Sequence, residues 1–564
     1  MQASGSVAPA SAAAGIAEIP AAVSLRSFTQ AGAGLRLLVP PGMVGTLRKA
    51  AIIVQHARNR GVVRRLDSIY YDTSDRMLFG HGFSLRVQRH GSRFTQTLRQ
   101  HGSSQRCVAG SQWQAPVDGA LPDLARLASD GTEPMPAGLM AASWMERLPA
   151  ASLTAMFETR LRRQIQRLEL PGAVVDVAFD EGVIEADTRQ EPLTEIRLAL
   201  QAGEPSVLYD IGMRLLELVP LRVSNASIVR RGYALASGTA PAAEKAAPST
   251  LTRDCAVDDM VAAVLVGCQM HLQANQAVAD DGRSPDGVHQ MRVALRRMRS
   301  AFSLLRREMS SATMLGLSAE AKWVADQLGA ARGWDVFLMT TLTQPGRCHG
   351  RGTDFDGLRQ AAEAPRAADY AAVREMLGSA RYGRFQLSLS QWIARRGWRN
   401  EVDRDGLGVL AEPAASMAMR VLARLHRKAL RQGTHFKQLS PTQRHELRIT
   451  LKKLRYALEF FLPLLAEPAH AARFLKRLGS LQDALGLDHD AATTQPLLDE
   501  IGKASRSVAV HQAIGVVIGW QACDCAGAGD ALVEEWRRFK ALPPFWARSM
   551  PPVETARTKT TLTQ

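Results

Sequence analysis

The sequence predicts a multidomain α+β protein, in which an N-terminal antiparallel β-barrel precedes an all-α pair of pseudo-symmetric helical bundles. Three observations support this prediction. The N-terminal part contains short runs of alternating polar and apolar residues, broken by Gly, Pro and Asp-Gly. The C-terminal part has almost continuous helical periodicity. Within it, one basic helical pattern occurs twice, with its first residues, His289 and His445, 156 positions apart.

The N-terminal part has the alternation expected of antiparallel strands. In the segment FSLRVQ, Arg86 and Gln88 fall on one face, and in FTQTLR, Thr97 and Arg99 do the same. Cationic side chains therefore repeat on one side of neighbouring strands. In a closed barrel, that side is expected to be the interior.

Composition divides the chain further. The first residues lack the basic segment of a signal peptide, and a later stretch of small residues with two prolines is typical of a linker. The last residues are rich in proline and polar groups, which predicts a tail. The expected segments are a disordered leader (1–31), a barrel (32–235), a linker (236–252), a helical region (253–541, with halves of about 253–400 and 401–541) and a tail (542–564).

Two segments of the helical region carry matching cationic stripes. Because a helix turns by about 100° per residue, the basic positions of each copy share one side, next to an apolar stripe that docks the helix. A solvated face is the ordinary explanation of one such helix, but duplication of five positions favours a shared ligand. A histidine in each copy adds a donor for anionic oxygen. The matched positions are His289, Arg292, Arg296, Arg297 and Arg299 in the first copy, and His445, Arg448, Lys452, Lys453 and Arg455 in the second.

The charge balance predicts a polyanionic partner. The net charge is +16 and the pI is near 10, values that suit nucleic acid, an anionic membrane or a phosphate polymer. Aromatic residues are only 6 % and do not interleave with the stripes, which disfavours a binder of single-stranded nucleic acid. No apolar run reaches about 20 residues, so no membrane span is expected. Six scattered cysteines are typical of a reducing compartment, which predicts a cytoplasmic protein.

The helical half resembles the CHAD domain, the conserved-histidine α-helical domain. Four stretches carry the resemblance: VHQMRVALRRMR (288–299), LGAARGWDV (328–336), HELRITLKKLRYALE (445–459) and LQDALGLDHD (481–490). The resemblance implies two bundles whose basic helices face a channel that binds inorganic polyphosphate, on cytoplasmic granules and beside granule-associated proteins. Such a polymer has one charge per phosphate and no bases, so guanidinium and ammonium groups suffice to bind it. Cations expected to extend the site are Lys322, Arg332, Lys476 and Arg477.

The N-terminal half resembles the CYTH domain, the triphosphate tunnel fold. The matching stretches are YYDT (70–73), SLRVQ (84–88), TQTLR (95–99), VDVAFDEG (175–182), LTEIRLAL (193–200) and RRGYAL (230–235). The resemblance implies a tunnel in which paired carboxylates hold a divalent metal.

This chain departs from the family's metal-binding pattern at three places. The first E-x-E-x-K strand reads Gly-Ala-Gly-Leu-Arg and ends at Arg36. The later E-x-E keeps Glu195 but has Arg197 in its second place, and Ile228 occupies the position of an expected lysine. Because Mg and Mn need hard oxygen ligands, the lost carboxylates predict weak catalysis or none.

Three functions follow from these features. The leading hypothesis is a polyphosphate-binding protein that needs no cofactor, with a barrel that holds phosphate without hydrolysing it. The first alternative is an inorganic triphosphatase that uses Mg or Mn, and the second is a nucleic-acid-binding protein, whose binding would share the salt dependence. The barrel cations proposed as secondary phosphate ligands are Arg36, Arg86, Arg99, Arg162 and Arg231, and the metal ligands of an active barrel would be Asp176, Asp180 and Glu195. An equally open interpretation is that these arginines simply pair with those acids.

Overall fold

The computed structural model describes residues 33–101, 111–129, 148, 153–348, 353–465, 468–527 and 529–546. The expected leader and the last 18 residues of the expected tail, 547–564, lie outside the described residues.

Nine strands form one antiparallel sheet in the order β5-β4-β3-β2-β6-β7-β8-β1-β9. The antiparallel pairing confirms the prediction from alternation. The order is linear, with β5 and β9 at its edges, and no ladder joins those edges within the described ranges, so barrel closure stays a prediction. The strands are β1 (Gly34–Leu38), β2 (Val62–Asp72), β3 (Phe83–His90), β4 (Arg93–Gln100), β5 (Gln112–Val117), β6 (Thr154–Leu170), β7 (Ala173–Ala186), β8 (Arg189–Ala202) and β9 (Arg222–Val223).

The two faces of the sheet differ in chemistry. On β7 and β8, Phe179 and Ile196 are fully buried in an apolar core that helices complete on one face. Their immediate neighbours, Asp180 and Glu195, project to the other face because successive side chains of a strand alternate. The helices of this half are α1 (Val44–Arg48), α2 (Ala51–His56), α3 (Met77–Gly80), α4 (Leu124–Ser129), α5 (Ser206–Leu216) and α6 (Ile228–Ser237).

The second half is helical, as the periodicity predicted. Its α-helices are α7 (Val257–Ala274), α8 (Gln276–Asp281), α9 (Asp286–Leu305), α10 (Ala312–Gln327), α11 (Gly329–Val336), α12 (Thr343–Cys348), α13 (Phe355–Gly378), α14 (Ala380–Ala394), α15 (Arg404–Ala411), α16 (Ala414–Gln432), α17 (Pro441–Phe461), α18 (Pro468–Ala484), α19 (Leu487–Ala504), α20 (Val508–Gly527) and α21 (Gly529–Lys540). A π-helical turn (Phe337–Thr341) and 3₁₀ turns (Gly397–Asn400, Phe436–Gln438, Leu462–Leu464) lie between them.

Helices α9 and α17 are the two predicted basic helices, which we call the twin helices. A capping box starts α17, since the Ser440 hydroxyl accepts from the Gln443 N–H and the Gln443 side chain accepts from the Ser440 N–H, with Pro441 in the first turn. Burial confirms the predicted apolar stripes. The fully buried residues are Val288, Met291, Leu295 and Met298 in α9, and Leu447, Leu451, Leu454 and Leu458 in α17.

The sheet and the helical half are in contact. Leu387 of α14 is fully buried in the sheet's apolar core, and Arg222 of β9 forms an ion pair with Asp280, N to O 2.8 Å. The expected linker is also held in place. The Glu244 N–H donates to the side chain of buried Asn275, whose amide donates back to the Glu244 carbonyl, both at 2.9 Å.

The helical core extends beyond the expected start of the tail at residue 542. Phe545 and Trp546 are 3 % and 2 % exposed, and their rings contact Phe474. The expected boundary at residue 542 therefore falls inside the helical core. Across the part of the chain that the structure describes, no helix combines the length and apolar composition that a bilayer crossing requires.

Candidate functional site

The twin helices meet through reciprocal polar contacts. The Arg297 guanidinium of α9 is ion-paired with Glu459 of α17, and the Lys453 ammonium donates to the Ser303 hydroxyl at 2.8 Å. Arg297 and Lys453 are matched positions of the two copies, and so are Ser303 and Glu459. A local two-fold axis between the helices generates such reciprocal pairs. Symmetry of the two whole bundles stays a prediction.

Some of the predicted cations are neutralised at this interface. The Arg297 guanidinium is 14 % exposed and lies 4.9 Å from the ring centre of Phe460. Glu459 also accepts a hydrogen bond from Arg455 Nε at 3.0 Å. One carboxylate therefore balances two predicted ligand residues. Arg297 joins the twin helices through Glu459, Arg455 contacts the same carboxylate from within α17, and less of the charge of both arginines is available to a ligand.

Five other basic side chains, four on the first twin helix and one on the neighbouring helix α11, form a group. Arg292 donates to the Ala325 carbonyl at 2.5 Å, and Arg296 donates to the Tyr456 hydroxyl, so both donate to uncharged acceptors. Among the described residues, none of the four arginines of this group forms an ion pair with a carboxylate. We call the group the α9 cluster; its members are His289, Arg292, Arg296 and Arg299 of α9, and Arg332 of α11.

The members of the α9 cluster repel one another. Burial lowers the pKa of Arg292, and the nearby charges of Arg296 and Arg332 lower it further. Burial also lowers the pKa of His289, with Arg332 and Arg296 adding to the effect and Asp286 opposing it. An anion in the cluster would relieve this repulsion and favour protonated His289.

The second twin helix approaches the α9 cluster. Burial lowers the pKa of Lys453, and Arg299 is among the cations that lower it further, so these two charges lie within interaction range. His445 is exposed, whereas Arg448 and Lys452 are half-buried, and all three already interact with neighbouring groups. The predicted cations of the two copies therefore occupy adjoining surfaces.

The expected extensions of the stripes lie in three places. Arg332 belongs to the α9 cluster, because it acts on the pKa of both His289 and Arg292. Lys322 is 61 % exposed and paired with Asp326 of its own helix at 2.6 Å. Lys476 and Arg477 lie on α18 and line a different cavity, which is described below.

Asp180 lies within an ionic network on the sheet. Its carboxylate is fully buried and accepts from Arg163 Nε and Nη2 at 2.6 and 2.9 Å. Arg197 Nε and Nη2 approach it at 2.9 and 2.8 Å. Two guanidinium groups thus occupy the carboxylate oxygens that a divalent ion would need.

Glu195 is surrounded by positive charge. Its buried carboxylate lies 3.5 Å from both Arg36 Nε and Arg197 Nε, and 3.9 Å from Arg231 Nη1. Neither oxygen accepts a hydrogen bond within the described part of the protein. Arg36 and Arg231, predicted as phosphate ligands, therefore pair with an acid, as the open interpretation expected.

The carboxylates do not fit a divalent metal. Asp176 pairs separately with Arg167 at 2.8 Å, while Asp180 and Glu195 are enclosed by arginines. Adding a divalent cation would place it against these guanidinium charges. In the described ranges, no three His, Cys, Asp or Glu side chains are grouped to hold a metal ion.

The strand register sorts the remaining sheet cations. It places Arg86 and Arg99 on the same face as Arg36. The prediction that Arg86 and Arg99 share one face of neighbouring strands is therefore confirmed. Burial lowers the pKa of Arg99, and Arg86 lowers it further. Arg162 pairs with Arg65 and Glu181, so it lies on the opposite face, exposed, and we remove it from the proposed group.

Arg163 is a sheet cation that was not predicted. The sequence could have indicated it, because Arg163 is an even number of residues from the buried Phe157 and Leu161 of β6 and so shares their face. Arg162 lies on the opposite face. Tyr456 and Glu459 were also not predicted as site residues. In sequence they lie on the basic side of α17, away from its apolar stripe, and only the packing of α9 against α17 brings them to Arg296 and Arg297.

This architecture defines a protein with a charged antiparallel sheet and a helical half that pairs two basic helices. The helical half contains a CHAD domain, since residues 263–499 match the model of that family. The N-terminal region resembles inorganic triphosphatases of the CYTH type.

Three individual proteins are similar to parts of this chain. The inorganic triphosphatase of Haemophilus influenzae is 28 % identical over 172 residues, which are 30 % of this chain and 46 % of the relative, so the match spans less than half of that protein. The crystal structure of the CHAD domain from the plant Ricinus communis is 28 % identical, covering 54 % of this chain and 98 % of that one, with a TM-score of 0.46. PptA from Streptomyces chartreusis is 16 % identical, covering 50 % and 100 % of the two chains, with a TM-score of 0.39.

Proposed function

We propose that the protein binds inorganic polyphosphate on the adjoining cationic surfaces of the twin helices. One observation carries the proposal: the arginines of the α9 cluster lie close enough to repel one another, and none of them forms an ion pair with a carboxylate among the described residues, although Asp326 partly offsets the charge of Arg292. Phosphate oxygens accept charge-assisted hydrogen bonds from guanidinium groups, and a dense phosphate chain neutralises several of them together. The CHAD family match supports the same function.

The aromatic groups at this site favour a phosphate polymer over nucleic acid. Tyr456 and Phe460 are 6 % and 3 % exposed and lie beneath Arg296 and Arg297. Binders of single-stranded nucleic acid present open aromatic faces on which bases stack. The buried rings leave guanidinium groups as the surface, which suits a phosphate chain and provides no stacking platform for bases.

Binding on the twin helices requires no metal. On the sheet, Arg86 and Arg99 are proposed as a secondary phosphate site without hydrolysis, because neither has a carboxylate partner in the described part of the sheet. Hydrolysis by an inorganic triphosphatase would require Mg or Mn, and the arginines around Asp180 and Glu195 oppose such an ion. We also propose a cytoplasmic location on polyphosphate granules, with granule proteins as neighbours.

The test is calorimetric titration with long-chain polyphosphate. We expect at least tenfold weaker binding when His289, Arg296, His445 and Lys452 are all replaced by Ala. A matched control replaces one exposed Arg and one exposed Lys elsewhere, Arg404 and Lys503, and so removes the same number of Lys and Arg charges. Unchanged affinity in the first variant, or equal losses in both, would overturn the proposal.

A competition experiment separates the polymers. Polyphosphate should displace DNA or RNA from the protein at a much lower phosphate concentration than the reverse. Displacement at equal phosphate concentration would favour a general nucleic-acid-binding protein. A phosphate-release assay on tripolyphosphate with Mg or Mn, run on the same sample, tests the triphosphatase alternative.

A further inference from the structure

A second basic surface lies between α18 and α21. It borders a cavity of about 820 Å³, with an aliphatic floor and a cationic rim. We call it the α18 cleft. Its lining residues are Ala472, Arg473, Lys476 and Arg477 of α18, Arg538 of α21, and Ala541 and Leu542, which follow α21.

The rim of the α18 cleft has uncompensated charge. Arg473, Lys476 and Arg477 are exposed and spaced three and four residues apart, so they lie on one side of the helix. None of the three forms an ion pair with a carboxylate in the ranges that the structure describes. Arg538 differs, because it is held by Glu534 at 3.0 Å. The three α18 cations therefore provide the binding charge of the cleft.

The α18 cleft is separate from the twin-helix surface. The buried side of α18, with Phe474, faces the core, whereas the three cations face outward. The helix approaches the second twin helix near its C-terminal end, where a Cβ at Gly486 would lie 3.4 Å from the Arg448 guanidinium. Lys476 lies eight residues before the end of α18 at Ala484, which is about 12 Å along the helix. Lys476 and Arg477 thus form a second location and do not continue the stripe directly.

We propose that the α18 cleft is a second binding site for the phosphate chain that the twin helices hold. This inference rests on the proposed function. A chain too short to span about 12 Å occupies one site at a time, whereas a longer chain reaches both. Once one part of a long chain is bound, its second contact becomes intramolecular and its effective concentration is high. The protein therefore selects long polyphosphate over short polyphosphate.

The test compares two ligands, tripolyphosphate and long-chain polyphosphate. Arg473→Gln, Lys476→Gln and Arg477→Gln are combined in a cleft variant. The control variant combines Arg404→Gln, Lys503→Gln and Arg506→Gln, which removes the same charge from other exposed positions. All six side chains are exposed, and thermal unfolding checks that each variant folds as the wild type does.

We expect the cleft variant to lose about tenfold or more of its long-chain affinity and to keep its tripolyphosphate affinity within about twofold. The control should keep the long-to-short affinity ratio of the wild type. Equal long-chain affinities of the cleft and control variants would overturn the inference, and so would equal losses for both ligands. If instead the twin-helix variant kept its affinity for both ligands, the proposed function itself would fail.

Discussion

The Arg297 guanidinium and the Glu459 carboxylate, 162 residues apart in sequence, form an ion pair where α9 crosses α17. Lys453, which occupies in α17 the position that Arg297 has in α9, donates a hydrogen bond to the Ser303 hydroxyl of α9. These contacts set the distance between the two helices. They therefore also set the distance between the cations that we propose as phosphate ligands.

Replacing Glu459 by Gln should destabilise the protein. Arg297, which is 14 % exposed, and Arg455 would lose their shared carboxylate, at a cost of about 1–3 kcal/mol in the free energy of unfolding. Urea denaturation measures the loss. As a control, Glu169→Gln removes the partner of exposed Arg58 and should cost less than about 1 kcal/mol. Equal losses would show that the interface pair adds nothing.

Arg296→Gln should weaken polyphosphate binding and change its salt dependence. Removing one cation that binds phosphate lowers the slope of log affinity against log salt concentration by about one unit. Titrations at several salt concentrations give this slope. Lys322→Gln is the control, since Asp326 already balances Lys322 and the slope should change less. The same slope for both variants would argue against Arg296 as a ligand.

Polyphosphate affinity should rise as the pH falls. In the free protein, burial and neighbouring arginines lower the pKa of His289, so it is largely neutral near pH 7. Bound phosphate favours the protonated ring, which makes the bound-state pKa higher than the free-state pKa. Affinity then increases as the pH falls through the bound-state pKa, and levels off below the free-state pKa. His289→Gln should flatten this profile, and an unchanged profile would exclude His289 as the proton acceptor.

Without bound polyphosphate, the protein should have a lower free energy of unfolding in mild acid than at neutral pH. Burial among Phe474, Phe539 and Trp546 lowers the pKa of His426. The unfolded chain therefore takes up a proton at a higher pH, so the free energy of unfolding falls as the pH drops through about 6.5. Thermal unfolding at several pH values measures this.

A variant isolates the contribution of His426. His426→Phe should reduce the loss of stability in acid, because an apolar ring of similar shape replaces the titrating group. His435→Gln, at an exposed position, is the control and should leave the pH profile unchanged. The same pH profile in His426→Phe and wild type would contradict this assignment.

Asp180→Asn should destabilise the sheet and leave phosphate release from tripolyphosphate unchanged. The substitution leaves Arg163 and Arg197 without their buried partner, at a cost of about 3 kcal/mol. Asp176→Asn, in a more exposed pair, should cost much less. The assay runs with Mg or Mn on folded protein. Turnover in the wild type that disappears in Asp180→Asn would favour a metal-dependent enzyme instead.

Local periodicity predicted the parts of the structure that depend on neighbouring residues. Met291 and Leu451 are buried because they recur on one helix face, and Arg86 and Arg99 share a sheet face because strand residues alternate. The same rule would have separated Arg162 from Arg163 if the buried positions of β6 had been used to set the phase.

Long-range packing decided what periodicity could not predict. Glu459 reaches Arg297 only because α9 and α17 cross, and neither helix alone indicates that pairing. Trp546 looked like part of a proline-rich tail, but its ring fills space beside Phe474 and His426. Both cases depend on where distant segments meet in space.

The anchoring of Glu244 on Asn275 limits how the protein can be divided. Cutting within residues 245–252 and expressing the helical half alone would remove the main-chain partner of a buried amide and uncover Leu387, which inserts into the sheet's core. Such a fragment would expose an apolar surface and would tend to aggregate. Studies of the helical half alone would therefore need to replace Leu387 with a polar residue, and studies of the sheet half alone would need to cover the apolar core that Leu387 contacts.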